Sequence, residues 1–311
     1  MTKEEYLQYG SLEQLVSIKR YECLDGMAKG NTIIDIRNGK LHFSLNADRG
    51  LDIYDMSYKG INVSYKSTMG DVSPKLAYEA AYPFNRFFAG GMLWTCGPDN
   101  IGAGTVVHGS FGLTPAENVT IAKCFDNGRY IVSVSGEMVF KQLFGSHIVI
   151  NRMITTEYNS PAVEVCDIIT NRGYKPEEYY LLYHYNFGYP FASAGATITA
   201  PGEITPRTPQ AAAGLEDAGR LSAPEPNAFE HVFYRKQKTG EATISMPSGM
   251  SCTVNYDVHK LPWLIQWKSM AAGDYALGLE PATSRLDEFK TPLLLAPGAS
   301  EEVRTSLTFS S

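Results

Sequence analysis

Thr32-Ile-Ile-Asp-Ile-Arg-Asn-Gly-Lys-Leu-His-Phe-Ser-Leu45 holds two runs that alternate with a period of two residues, 32–37 and 41–45, around a turn signal. In the second run Leu41, Phe43 and Leu45 point one way, and His42 and Ser44 point the other. Asn38-Gly39 between such runs is the strongest short hairpin signal, because both residues tolerate positive φ. The same pattern returns at 53–58 and 61–65 around Lys59-Gly60, and at 119–125 and 130–140 around Asn127-Gly128. Further strands are expected at 148–157, 163–170, 242–246, 251–256, 263–267, 275–279 and 303–309. Short strands with turn residues between them predict an all-β fold, an antiparallel sandwich or barrel. No helix-length periods alternate with the strands, which excludes a Rossmann or TIM architecture. The one helix expected is short and N-terminal, opened by the capping box Ser11-Leu-Glu-Gln14, with Leu12, Leu15 and Val16 as its apolar stripe.

Composition narrows the function classes. The 311 residues carry 33 Asp+Glu against 27 Lys+Arg, a net charge of −6, which argues against a phosphate-backbone partner. Hydrophobic residues make up 44% and charged ones 19%, enough for a large core. The five cysteines are scattered, odd in number and without C-x-x-C, so neither a disulfide framework nor a zinc site fits. No apolar h-region follows Met1, and no run approaches the ~18 apolar residues of a membrane span. The expectation is a soluble, reduced, cytoplasmic protein with no nucleic-acid or membrane partner. The chain is expected to form one domain over 1–311, with a helical extension over 1–29. A Pro/Ala-rich loop is expected over 200–228, on the surface rather than as a lid. Aromatic residues reach 12%, and Tyr (19) outnumbers Phe (14). Much of that is strand composition, but Tyr also suits half-wet surfaces.

Familiar catalytic motifs are missing: no P-loop, no complete G-x-G-x-x-G, no H-E-x-x-H, no G-x-S-x-G. Three places are unusual for a plain core. Tyr179-Tyr-Leu-Leu-Tyr-His-Tyr-Asn-Phe-Gly-Tyr189 is apolar on both faces, like a central strand, yet ends in His184 and Asn186. Tyr180, Leu182, His184 and Asn186 share one of its faces. Tyr275-Ala-Leu-Gly-Leu-Glu-Pro281 places Glu280 at the end of a face otherwise made of Ala276 and Gly278, with room beside it for a ligand. Partial burial there raises a carboxyl pKa and makes a better base, and Pro281 is expected to end the strand. The segment 100–112 sets four glycines around His108, and just upstream Asn85-Arg86 sits among aromatics. Each has a plain structural alternative: a buried core His, a solvated strand-end Glu, a flexible loop.

Taken in order, Asn85-Arg86, His108-Gly109, His184-Tyr-Asn-Phe and Leu279-Glu280-Pro281 resemble the galactose mutarotase (aldose 1-epimerase) superfamily. The surrounding text is similar to a bacterial branch of it grouped as a domain of unknown function. It is carried by Ala47-Asp-Arg-Gly-Leu-Asp-Ile53, Phe88-Ala-Gly-Gly-Met-Leu-Trp-Thr-Cys-Gly97, Tyr183-His-Tyr-Asn-Phe-Gly-Tyr-Pro190 and Gly278-Leu-Glu-Pro-Ala282. The resemblance spans roughly residues 30–310. It implies a large antiparallel β-sandwich (a supersandwich) with an open cleft, acting on a free or modified monosaccharide without a cofactor or metal. By the same resemblance His184 is the general acid, Glu280 the base, and His108 and Arg86 hold the sugar near its ring oxygen and hydroxyls. Asn85 and Asn186 join the expected substrate-binding set, and Glu230 corresponds to an acidic residue that grips hydroxyls. Opening a cyclic hemiacetal takes a proton from one oxygen and gives one to another, which one His and one perturbed carboxylate can do. The chain departs from the family pattern where Ser110 follows His108-Gly109 and where Asn186-Phe-Gly replaces Tyr-Phe-Asn. Arg49 and Lys268, near strand ends, offer positive charge for a phosphorylated or acidic sugar. The plainer alternative pairs Arg49 with Asp48 or Asp52 and leaves Lys268 on a solvated edge. An alternative function on the same fold is a non-catalytic carbohydrate-binding or sensing protein. A third is a lyase or isomerase that uses the base at carbon.

Overall fold

The hairpin around Asn38-Gly39 forms strands Thr32–Arg37 and Leu41–Asn46, with Leu41, Phe43 and Leu45 buried in the core. Its turn is centred one residue later than expected. Asn38 N donates to Leu41 O, and Gly39, at φ 103°, takes the positive φ. Asn38 itself is fully buried, and its Nδ2 donates to Thr156 Oγ1, Glu157 O and Ser160 O. The amide is thus used to tie the hairpin tip to another sheet. Lys59-Gly60 and Asn127-Gly128, by contrast, have positive φ at both residues, as a two-residue hairpin turn needs.

The computed structural model describes residues 3–104, 106–287 and 293–311; Thr105 of the glycine-rich segment lies outside them. All strand pairings between named strands are antiparallel. A five-stranded meander runs from Ser17–Glu22 to Ile61–Asn62. An eight-stranded sheet holds the long hairpins Glu117–Asp126/Arg129–Lys141 and His147–Glu157/Ala162–Asn171, and Ser300–Ser310 lies at its middle. A six-stranded sheet runs Glu203–Pro206, His231–Lys236, Trp263–Ala271, Asp274–Ala282, Leu182–Gly188, Leu93–Cys96. The main core lies between these sheets. Tyr183, Tyr185, Phe187, Leu277 and Leu279 meet Ile150, Val165, Val303 and Leu307 there. The Tyr185 hydroxyl reaches Thr305 across the gap at 2.6 Å.

Several expectations change. The capping box at Ser11 forms, but the helix is one 3₁₀ turn, Leu12–Gln14. The 1–29 segment is therefore not a helical extension: Ser17–Glu22 is a strand paired with Thr32–Arg37. Residues 61–65 give only a two-residue strand, after which Ser64 bridges to Phe187. The 200–228 segment is not a plain loop, since it holds strand Glu203–Pro206 and helix Pro209–Ala213, whose Pro starts it and whose N-cap is Thr208. Pro281 does not end its strand, which runs on to Ala282. All five cysteines are free, and among the described residues no helix is long and apolar enough to cross a membrane.

Candidate active site

Two neighbouring strands of the six-stranded sheet build the floor. Leu182 pairs with Ala282 and Tyr185 with Leu279, which sets His184 across from Glu280. Alternation divides each strand cleanly. Tyr183, Tyr185, Leu277 and Leu279 go to the main core, while His184 and Glu280 emerge on the opposite face. His184 lies within its strand, not at the end of it as expected. Ile265 and Trp267 from the next strand complete the floor, with Phe84, Phe88 and His108 as one wall. The result is an open cleft of about 460 Å³.

At its base His184 Nε2 stands 3.3 Å from Glu280 Oε1. Both side chains are almost fully buried, 7% and 2% exposed. Glu280 Oε1 and His184 Nδ1 lack a hydrogen-bond partner among the described residues. Burial pushes the Glu280 carboxyl well above the usual carboxylate range, with the Glu230 charge adding and Arg207 opposing. Burial, and then the nearby His108, hold His184 well below an ordinary imidazole; Asn186 works in the other direction. Each group alone is thus disfavoured as an ion. An ionised partner 3.3 Å away offsets that cost for either group, so the two titrate as a pair.

Gly278, two residues before Glu280 on the same face, explains how the carboxylate fits. A Cβ at Gly278 would collide with Glu280 Oε1. The space left by glycine is therefore occupied by the carboxylate itself rather than left for a ligand. His108 is held differently, with φ at +64°, its amide donating to Gly102 O and its Nδ1 at 2.8 Å from Ile101 O. The Ile101 carbonyl accepts a proton from Nδ1, so Nε2 is the unprotonated nitrogen of the neutral ring. Burial lowers the His108 pKa as well. A non-glycine residue in left-handed backbone costs of order 1–3 kcal/mol and persists where its surroundings fix it, often at functional sites.

The sequence matches the family model for a domain of unknown function, DUF4432, over residues 28–307. The chain belongs to the DUF4432 family. No curated protein matches it. Among solved structures it is similar to a Klebsiella pneumoniae protein named, provisionally, an aldose 1-epimerase. That likeness has a TM-score of 0.87 and 23% identity, and covers 96% of this chain and 86% of the other. A galactose mutarotase-like protein from Clostridium acetobutylicum matches with TM-score 0.66 and 15% identity over 96% and 99% of the two chains. An Escherichia coli K12 protein, also provisionally an aldose 1-epimerase, matches with TM-score 0.61 and 15% identity over 90% and 99%. Likeness at these identities shows the fold, a galactose mutarotase-like all-β architecture.

Within this DUF4432 chain the cleft gathers His184, Glu280, His108, Asn85 and Glu230. Glu230 is fixed by Trp267, whose indole N–H donates to its Oε2 at 2.8 Å. Four other expected residues lie elsewhere. Arg86 is exposed and stacks over the Tyr82 ring, 4.6 Å from its centroid, outside the cleft. Asn186 is fully buried behind His184 and donates from Nδ2 to the His184 carbonyl. Arg49 is buried against Trp94 and pairs with Asp71, not with Asp48 or Asp52. Lys268 is buried on the far face of its strand, where Nζ donates to Asp217 O; it is no solvated edge.

Sequence reasoning missed Arg207 and Asp274, both of which line the cleft. Arg207 belongs to the segment expected to be a surface loop. It is seated by its amide donating to Val232 O, and its Nε lies 3.7 Å from Asp287. One Arg between two prolines carries no periodicity or spacing signal. Trp267 was placed on a strand but not at the site, although Trp267 and Ser269 share the Ile265 face.

Proposed function

We propose that the chain catalyses interconversion of the α and β anomers of a reducing sugar by acid–base ring opening and closing. The observation that carries this is the buried His184–Glu280 pair, 3.3 Å apart at the base of an aromatic-walled cleft. Glu280 accepts the proton of the anomeric hydroxyl while His184 donates one to the ring oxygen. The C1–O5 bond breaks, C1 becomes a carbonyl, rotation about C1–C2 presents its other face, and closure reverses both transfers. His108 adds a ring nitrogen near the same oxygen, and Phe84, Phe88 and Trp267 offer flat apolar faces to sugar C–H groups. Glu230 and Asn85 supply polar contacts for hydroxyls.

The charge balance favours an uncharged sugar over a phosphorylated or acidic one. Among the described residues Glu230 and Asp274 line the cleft beside the buried Glu280, with Arg207 as the cation there, and Arg49 and Lys268 lie outside it. The galactose mutarotase-like fold supports the class of reaction, and five free cysteines suit a reduced, cytoplasmic setting.

The test is the rate of anomer interconversion, followed by polarimetry or NMR over a panel of neutral hexoses and pentoses. Glu280→Gln and His184→Ala are each expected to lower kcat/KM by about 10²–10⁴-fold, the usual worth of general acid–base catalysis. Saturable binding with no acceleration of any bound sugar would instead make this a binding or sensing protein. Exchange of a carbon-bound proton with heavy water would indicate abstraction at carbon.

A further inference from the structure

A second concavity, about 810 Å³, lies on the outer face of the five-stranded sheet. Its floor is the polar side of the hairpin that decides the fold: Asp35, His42, Ser44 and, one strand on, Asp55. Tyr21 and Tyr189, 50% and 72% exposed, line it. This groove touches the cleft. Tyr65 lines both, with Lys66 on the groove side and Ser67, Thr68 and Met69 on the cleft side. The turn at Gly273 divides them in the same way, as Asp274 faces the cleft while Gly273 and Tyr275 face the groove. Along the divide the Tyr65 hydroxyl donates to Asp274 Oδ1 at 3.3 Å, and the Tyr65 ring packs edge-on against Trp267.

We propose that the groove is a second sugar-binding subsite, so that the substrate is a reducing oligosaccharide whose reducing end enters the cleft while its next unit lies in the groove. This rests on the cleft being a sugar site. The groove's chemistry is that of carbohydrate recognition: carboxylates and an imidazole that take and give hydrogen bonds, beside exposed Tyr rings that stack on apolar sugar faces. The acceptors are held in place, since Asp35 is engaged by His42 Nε2 and Arg37 Nε, and Asp55 by Lys66 Nζ. Two concavities sharing Tyr65 let one ligand span both, and binding energy from the remote unit then adds to the reaction at the first.

The experiment compares lactose, cellobiose, maltose and melibiose with glucose, their common reducing-end unit. At least one disaccharide is expected to exceed glucose in kcat/KM by about tenfold, roughly 1.4 kcal/mol. Tyr21→Ala/His42→Ala, and the milder His42→Gln in case the double variant does not fold, are expected to remove that advantage while leaving the glucose rate unchanged. No advantage for any disaccharide, or equal losses for both substrates, overturns the subsite. Calorimetric binding of the same sugars separates the two ideas. If nothing is turned over but a disaccharide still binds more tightly than glucose, and the groove variants lose that difference, the subsite stands and the mutarotase reading falls. Equal binding by wild type and variants removes the subsite whatever the cleft does.

Discussion

Glu280 and His184 are placed where water cannot stabilise their charges, and consequences are expected for both the proposed activity and stability. In the proposed mechanism the productive state of the pair carries one proton. Burial holds the His184 pKa below its ordinary 6.5, so a second proton joins only well under that pH. Burial raises the Glu280 pKa, so the last proton leaves only well above 4.5. The acid decline of activity is therefore expected below the ordinary imidazole value of 6.5. An acid decline centred near pH 6.5 in a kcat/KM profile would contradict this. For stability, a carboxyl whose folded pKa is raised contributes fully below its unfolded value and loses that contribution as pH rises through the folded one. Glu280→Gln is expected to be more stable than wild type by about 1–3 kcal/mol at pH 8, the cost of a buried unsatisfied polar group. The gain should shrink toward pH 4.5, as thermal melts at the two pH values would show.

At the scale of the element, the Asp274–Ala282 strand depends on one small residue. Gly278 has no special φ; what it provides is the absence of a Cβ where Glu280 Oε1 and the Trp267 Cβ converge. Gly278→Ala must displace the carboxylate or spread the pair of strands. A displacement of about 1 Å can cost on the order of 10²-fold, so kcat/KM is expected to fall 10- to 100-fold with binding of the sugar little changed. Overpacking is expected to cost about 1–3 kcal/mol in urea unfolding as well. This strand was legible in the sequence, because its alternation assigns Leu277 and Leu279 to one face and Glu280 to the other. The use of the glycine gap was not, because it depends on which rotamer Glu280 adopts beside His184. Likewise Asn38-Gly39 announced a hairpin, but the shift of the turn to Gly39-Lys40 came from Asn38 being drawn into Thr156, Glu157 and Ser160, over a hundred residues away.

Across the whole molecule, the five-, six- and eight-stranded sheets meet at Arg152. Its guanidinium donates to Asp167 through Nε and Nη2, to Asp52 and Gly50 O through Nη1, and to Thr95 through Nη2. Tyr183 adds a hydroxyl bond to Asp167 at 2.8 Å. Asp52 belongs to the five-stranded sheet, Arg152 and Asp167 to the eight-stranded one, and Thr95 and Tyr183 to the six-stranded one. Tyr183 neighbours His184, so the network fixes the strand that presents it. Arg152→Met would leave Asp52 and Asp167 buried without their cation. A loss of about 3–5 kcal/mol is expected in denaturant unfolding, the usual result of removing one partner from a buried ion pair. Replacing Arg152, Asp52 and Asp167 together with apolar residues of similar size should cost much less.

The sequence by itself determined many of the strands, their turns at Lys59-Gly60 and Asn127-Gly128, and which side chains of the 182–188 and 274–282 strands turn away from the core; it did not announce Ser17–Glu22, Leu93–Cys96, Glu203–Pro206 or His231–Lys236. The features it determined are local properties: period-two alternation and positive φ act within a few residues. It also marked His184 and Glu280, because an ionisable group on an otherwise apolar face costs free energy unless it has a use, and His108, because four glycines around it permit close backbone approach. Tertiary structure alone decided which charges reach the cleft. Arg49 and Lys268 are removed from it by Asp71 and the Asp217 carbonyl, and Arg86 by Tyr82, while Arg207 is brought in by a segment expected to lie on the surface. A long cationic side chain takes whichever partner the folded chain brings within reach, and that partner can lie far away in sequence.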